Sequence, residues 1–178
     1  TKETFALAVQ NHQKNNLQVA ENLYNEILKT NPNHFESIYL LGTLLTQKKN
    51  FNRSIQLLKK AVKIQPNHAS AHNYLGVVFK ELGEHQKAIS SYQKAIEINP
   101  NHANAHNNLG NVLKELGEYQ KAISSYQKAI EIQPNHAVAH NNLGVVFKEL
   151  GEHQKAISSY QKAIEIQPDY ASAHSNLG

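Results

Sequence analysis

The chain has 178 residues, is 40% apolar, and carries 18 Lys and Arg against 14 Asp and Glu, for a formal charge of +4. It has no cysteine, which excludes disulfides, thiolate metal sites and thiol chemistry and fits a reducing, cytoplasmic setting. No apolar run approaches the roughly 20 residues that a membrane-spanning helix needs, no secretory signal is visible, and the lack of any methionine points to a piece of a longer or processed chain.

Prolines fall at 32, 66, 100, 134 and 168, a constant step of 34. The units are 1–34, 35–68, 69–102, 103–136 and 137–170, with a sixth cut off at 171–178. A fixed period of this size means an array in which each unit can bury its apolar face only against its neighbours. Unit one departs most, at Thr4, Ala8, Asn11 and Lys14, while Ala20, Tyr24 and Pro32 keep the pattern. Terminal repeats are expected to be atypical in this way. Unit two holds the basic excess, with Lys48, Lys49, Arg53, Lys59, Lys60 and Lys63 against Glu36 alone.

Unit three shows the internal plan. Ala71, Leu75, Val78 and Leu82 recur at helical spacing and form one apolar stripe. Gly83 follows as a helix terminator. A second helix carries Ala88, Ile89, Tyr92, Ala95 and Ile96, and Pro100 ends it. Asn101 or His102 is placed to cap the next helix. Units three, four and five agree at 26 of 34 positions, so the plan holds for the copies that follow. Glycine recurs inside the first helix at Gly42, Gly76, Gly110 and Gly144, at a propensity cost of roughly 1 kcal/mol each. Twelve residues further on stand Ser54, Ala88, Ala122 and Ala156. Glycine against a small residue predicts close approach of the two helix backbones.

The set His72, Leu75, Gly76, Phe79, Ala88, Tyr92, Ala95 and Pro100 resembles the tetratricopeptide repeat over the whole chain. It departs where the family's first aromatic is replaced by His72, His106, His140 and His174, and by Ile38 in unit two. The resemblance implies an all-α solenoid, a right-handed superhelix of antiparallel helix pairs forming a single array. The AHNNLG submotif is similar to the repeat arm of the O-linked N-acetylglucosamine transferases, although no transferase domain is present in this sequence.

Chemistry finds little support. The sequence has no Gly-rich phosphate loop and no nucleophile elbow, so no catalytic residue and no cofactor are expected, and the chain is read as not an enzyme. Histidines four apart, such as His68 with His72 and His102 with His106, have a spacing that could serve a metal. The first of each pair lies in a turn, however, and the second stands at an aromatic packing position, so packing is the expected role and no metal is assigned. A nucleic-acid partner requires a basic stripe that continues along the surface. Units three to five instead alternate Lys and Glu, and neither nucleic acid nor membrane is expected.

What remains is a surface for a protein or peptide partner. By resemblance, the concave wall is lined in unit three by Asn73, Tyr74, Val77 and Lys80. Unit four adds Asn104, Asn107, Asn108, Asn111 and Lys114, and unit five Asn141, Asn142, Val145 and Lys148. In unit two the wall is Glu36, Tyr39, Leu40, Thr43, Thr46 and Gln47. Each asparagine tip offers one carbonyl acceptor and an amide donor, the chemistry that holds an extended backbone, and the lysines would favour acidic residues. Two other readings stay open: head-to-tail self-association through the edge at Asn176, Leu177 and Gly178, and a substrate-recruiting arm of a larger enzyme such as a glycosyltransferase.

Overall fold

The computed structural model describes residues 2–178, which form eleven α-helices and no strand. They are α1 (Lys2–Gln13), α2 (Leu17–Thr30), α3 (Phe35–Gln47), α4 (Phe51–Ile64), α5 (Ala69–Glu81), α6 (His85–Ile98), α7 (Ala103–Glu115), α8 (Tyr119–Ile132), α9 (Ala137–Glu149), α10 (His153–Ile166) and α11 (Ala171–Leu177). The all-α class and the two-helix unit are therefore as the sequence implies. Packing groups the chain into two compact units, the first ending at Glu84 and the second spanning His85–Gly178. The first holds α1 to α5 and the second α6 to α11.

The turn between the two helices of a repeat is made by one residue in the left-handed region. In the second unit it is Gly117 (φ +75°) and Gly151 (φ +74°). The Gly117 N–H donates to the Lys114 carbonyl at 3.0 Å and the Glu118 N–H to the Leu113 carbonyl at 2.9 Å. This pair of bonds is the Schellman closure, which satisfies carbonyls left over at the helix end. Repeats one and two close in the same way without glycine, through Asn15 (φ 60°) and Lys49 (φ 58°).

The core of each repeat centres on one residue of its second helix. Tyr24, Tyr126 and Tyr160 are fully buried, and Leu58 takes the place in repeat two. These positions explain the glycines and correct the expectation that glycine faces a small residue. A Cβ at Gly110 would lie 2.6 Å from the Tyr126 ring, and one at Gly144 would lie 2.6 Å from the Tyr160 ring. The helices approach closely because a flat ring, sixteen positions later, lies on bare backbone. In repeat two the small residue adds a hydrogen bond, the Ser54 hydroxyl donating to the Gly42 carbonyl at 2.8 Å. In repeat one Ala8 stands at the glycine's offset. There the Tyr24 hydroxyl meets His12 Nδ1 at 3.4 Å, about one turn further along α1 than the contact made by Tyr126 on α7.

Three of the six basic residues of repeat two, Lys48, Arg53 and Lys60, are occupied in holding repeat one. Glu21 on α2, whose side chain is 13% exposed, accepts from Lys48 Nζ at 2.6 Å and from Arg53 Nη1 at 2.8 Å. Arg53 also donates to Asn25, and Lys60 to the Pro32 carbonyl. A basic patch in sequence is thus an inter-repeat clamp in space, with less free charge than the count suggests.

Replacing Gly110 with leucine forces a side chain into the Tyr126 ring. Such overpacking costs about 1–3 kcal/mol, so Gly110→Leu should lower the urea unfolding midpoint. In a double-mutant cycle the loss should shrink when Tyr126→Ala is added, because the two side chains compete for one space.

Candidate interaction surface

The first helices of the second unit present a half-exposed stripe at helical spacing. On α7 it consists of Asn104, Asn108, Asn111 and Lys114, and on α9 of Val138, Asn142, Val145 and Lys148, all exposed or half-buried. Asn107 and Asn141, each 5% exposed, lie off that stripe, as does Asn73 at 6% on α5 of the first unit. These three are buried, which sets them apart from the exposed and half-buried members of the stripe. Tyr74, Val77 and Lys80 on α5 are half-buried, with Lys80 Nζ 3.5 Å from Glu81.

The asparagines are not idle tips, because half of each amide is used to join repeats. Asn142 Nδ2 donates to Asn107 Oδ1 at 3.1 Å and to Asn111 Oδ1 at 3.0 Å. Asn111 Oδ1 also accepts from the Tyr126 hydroxyl at 2.8 Å. Asn176 repeats the pattern one unit on, donating to Asn141 Oδ1 at 3.0 Å. Asn104 Oδ1 accepts from His136 Nε2 at 3.0 Å. Left without a protein partner are the Nδ2 groups of Asn104 and Asn111 and the Oδ1 of Asn142, among the described residues. The arrangement offers fixed donors and an acceptor, with orientations set by the bonds beneath them. Lys114 and Lys148 beside them make no ion pair among the described residues.

Repeat five lacks part of this network. Val145 stands where Asn111 stands in repeat four, and the buried Tyr160 hydroxyl has no hydrogen-bond partner. Burial raises the Tyr126 phenol above its ordinary range, with the nearby Glu115 charge adding to the effect.

The first unit has a different wall. A cavity of about 480 Å³ is lined by Val9, His12, Gln13, Asn15, Tyr24, Tyr39, Leu40, Thr43, Gln47 and Tyr74. Tyr39 and Tyr74 meet edge to face with centroids 6.0 Å apart, and Tyr39 also packs on His68 at 4.8 Å. Burial pushes the Tyr24 and Tyr39 phenols up to about 12, so both are neutral donors at neutral pH. Burial holds His12 below the ordinary histidine value, partly offset by its bond to Gln47.

The histidine pairs divide two structural tasks. His34, His68, His102 and His136 are N-caps: their Nδ1 atoms accept from the N–H groups of Ser37, Ala71, Ala105 and Ala139 at 3.1–3.3 Å. His72, His106, His140 and His174 donate from Nε2 to the carbonyls of Pro66, Pro100, Pro134 and Pro168 at 2.7–3.0 Å. One histidine thus starts a helix and its partner four residues on ties that helix to the turn before it. The caps require neutral imidazole with Nδ1 unprotonated. Burial lowers the pKa of His68, His102 and His136, as expected for groups that fold best without the charge.

Tandem pairs of antiparallel helices, each closed by the same kind of turn and packed around one buried residue of its second helix, define a helix-pair repeat protein. Comparisons with known proteins give its family. A tetratricopeptide repeat model matches residues 101–169 and a TPR repeat model matches 78–117. A model of the anaphase-promoting complex, cyclosome, subunit 3 matches 10–95. No curated protein sequence matches significantly. Among solved structures, MamA superposes with a TM-score of 0.77 at 31% identity, over 92% of this chain and 96% of that one. YrrB, described as a TPR protein with an unusual peptide-binding site, gives 0.71 at 26% identity over 97% and 89%. TTC0263, a thermophilic TPR protein of Thermus thermophilus, gives 0.83 at 22% identity over 99% and 96%. The chain belongs to the tetratricopeptide-repeat family, and by class it is a scaffold for protein interaction. No helix among the described residues is long and apolar enough to cross a membrane.

Two outcomes follow from the hydrogen bonds. Protonating a capping histidine turns its acceptor into a donor and places a cation at a positive helix N-terminus, and each cap contributes about 0.5–2 kcal/mol. Because the folded pKa values lie below the ordinary 6.5, the contribution is complete above 6.5 and is lost as the pH falls from there through the folded values. Thermal midpoints should therefore drop between pH 7.5 and roughly 5, and the triple variant His68→Asn, His102→Asn, His136→Asn should give a flatter profile. In the tyrosines, Tyr126→Phe should cost about 0.5–1.5 kcal/mol, whereas Tyr160→Phe should be neutral or stabilising in the same melts.

Proposed function

We propose that the chain is a non-enzymatic scaffold that holds an extended segment of a partner protein along the first helices of its second unit, with acidic residues of that segment beside the lysines. The observation that carries this reading is the unspent half of the asparagine network. Asn104 and Asn111 keep amide donors and Asn142 a carbonyl acceptor, while the other half of each tip is anchored within the protein. Anchored tips lose little freedom on binding, and preorganisation of this kind lowers the entropic cost of association. An extended backbone has N–H and C=O groups at regular intervals and fits a wall that offers both partners. Lys114 and Lys148 supply positive charge without an ion pair in the chain, which favours acidic side chains by complementarity. The likeness to YrrB, described as having an unusual peptide-binding site, supports a peptide ligand.

Selection of displayed peptides on this chain should enrich acidic residues. Against the selected peptides, the double variant Lys114→Glu, Lys148→Glu should lose about tenfold in affinity, which corresponds to about 1.4 kcal/mol, with its melting curve unchanged. Peptides that bind the double variant equally well would remove this reading.

A further inference from the structure

We infer that the cavity of the first unit is a binding pocket for an uncharged aromatic side chain of a partner, with tryptophan as the best fit. The inference deepens the scaffold reading, on which it rests, by assigning a separate anchor site with its own chemistry. Three tyrosines from three different helices, Tyr24, Tyr39 and Tyr74, bound the space. Aromatic groups pair best edge to face or offset, with centroids about 4.5–7 Å apart. Tyr39 and Tyr74 already hold such a pair at 6.0 Å and 73°, so an entering ring meets faces and edges that are fixed beforehand.

The wall offers no counter-ion to an ionised occupant. Repeats three to five carry a Lys–Glu pair at the twelfth and thirteenth positions: Lys80 and Glu81, Lys114 and Glu115, Lys148 and Glu149. Repeats one and two replace both with neutral groups, His12 with Gln13 and Thr46 with Gln47. No Lys, Arg, Asp or Glu lines the cavity. A carboxylate entering it would lose hydration and gain no counter-ion, which is unfavourable; a cation is the competing occupant that the arginine control tests.

Size and polarity narrow the choice further. The volume of about 480 Å³ lies within the roughly 300–1,000 Å³ of ligand sites. That space admits an indole with room to spare, and the tyrosine rings bounding it favour an aromatic over an aliphatic side chain. The polar rim consists of the imidazole of His12, held between the Tyr24 hydroxyl and Gln47, and the exposed amide of Gln47, whose remaining hydrogen-bonding capacity suits a single N–H such as that of indole. His12 is itself braced by the Tyr24 ring, edge to face at 6.0 Å, and this fixes the rim.

The test is a titration of the whole chain with N-acetyl-tryptophanamide, with N-acetyl-leucinamide and N-acetyl-argininamide as controls. The chain contains no tryptophan, so the emission of the probe is read without background, and amide NMR shifts locate the site. The tryptophan probe should bind in the millimolar range, with shifts confined to α1, α2, α3 and α5, and at least about fivefold more tightly than either control. Two variants should each weaken it by at least about fivefold: Tyr74→Asn, which installs the residue that repeats four and five carry there, and Gln47→Lys, which places a charge at an exposed edge. Equal binding of the three probes, shifts outside these helices, or retention of binding in both variants would overturn the inference. Peptide affinity that depends on Lys114 and Lys148 reports on the second unit alone, so failure of that wall and failure of this pocket are separately visible.

Discussion

The fold of repeats four and five depends on one contact: a tyrosine ring on the second helix packed directly against glycine backbone of the first, a place taken by Leu58 on Gly42 in repeat two. The ring demands space that any Cβ would occupy, as the 2.6 Å approach at Gly110 and Gly144 shows. In exchange it buries a large apolar surface completely, and full burial of such a side chain contributes about 1.5–3 kcal/mol. That gain exceeds the roughly 1 kcal/mol propensity loss of a mid-helix glycine. With the two helices fixed in this way, the first helix keeps one face for its neighbours and leaves the other half-exposed. The interaction surface is a consequence of the packing beneath it.

Much of this is legible in the sequence, and the parts that are not share a physical cause. Proline spacing, the apolar stripe of Ala71, Leu75 and Val78, and the terminating Gly83 act within a few residues, so the chain alone reveals them. The partner of Gly110 is not readable in this way, because twelve and sixteen residues on are both on the second helix, and only the crossing geometry decides between Ala122 and Tyr126. The asparagines are ambiguous for a related reason. Asn107 and Asn108 are neighbours in sequence with identical chemistry, yet one is buried and the other half-exposed, a distinction set by helix rotation. The histidine caps have a visible signal in the recurring turn residue before each helix, but which nitrogen faces the backbone is a matter of geometry. The basic excess of repeat two is likewise visible as composition and invisible as a clamp, since Glu21 lies 27 and 32 residues away from its two partners.

The two units combine the same repeat with different surface chemistry. In the first, neutral polar groups and tyrosines surround a cavity. In the second, asparagines are linked from helix to helix and lysines stand unpaired. Because the underlying plan is shared, these differences arise at a handful of first-helix positions where side chains face outward. The same scaffold therefore carries a tyrosine-lined cavity and an amide-lined face with little change to its core.

Repeats that agree at 26 of 34 positions run a hazard during folding, since a helix pair can dock on the wrong copy and find nearly equivalent contacts. Asn142 reaches two acceptors only against α7, where Asn111 stands, because the corresponding residue on α5 is Val77 and on α9 is Val145. One carboxamide thus works as a key cut for a single lock, giving otherwise interchangeable segments an address.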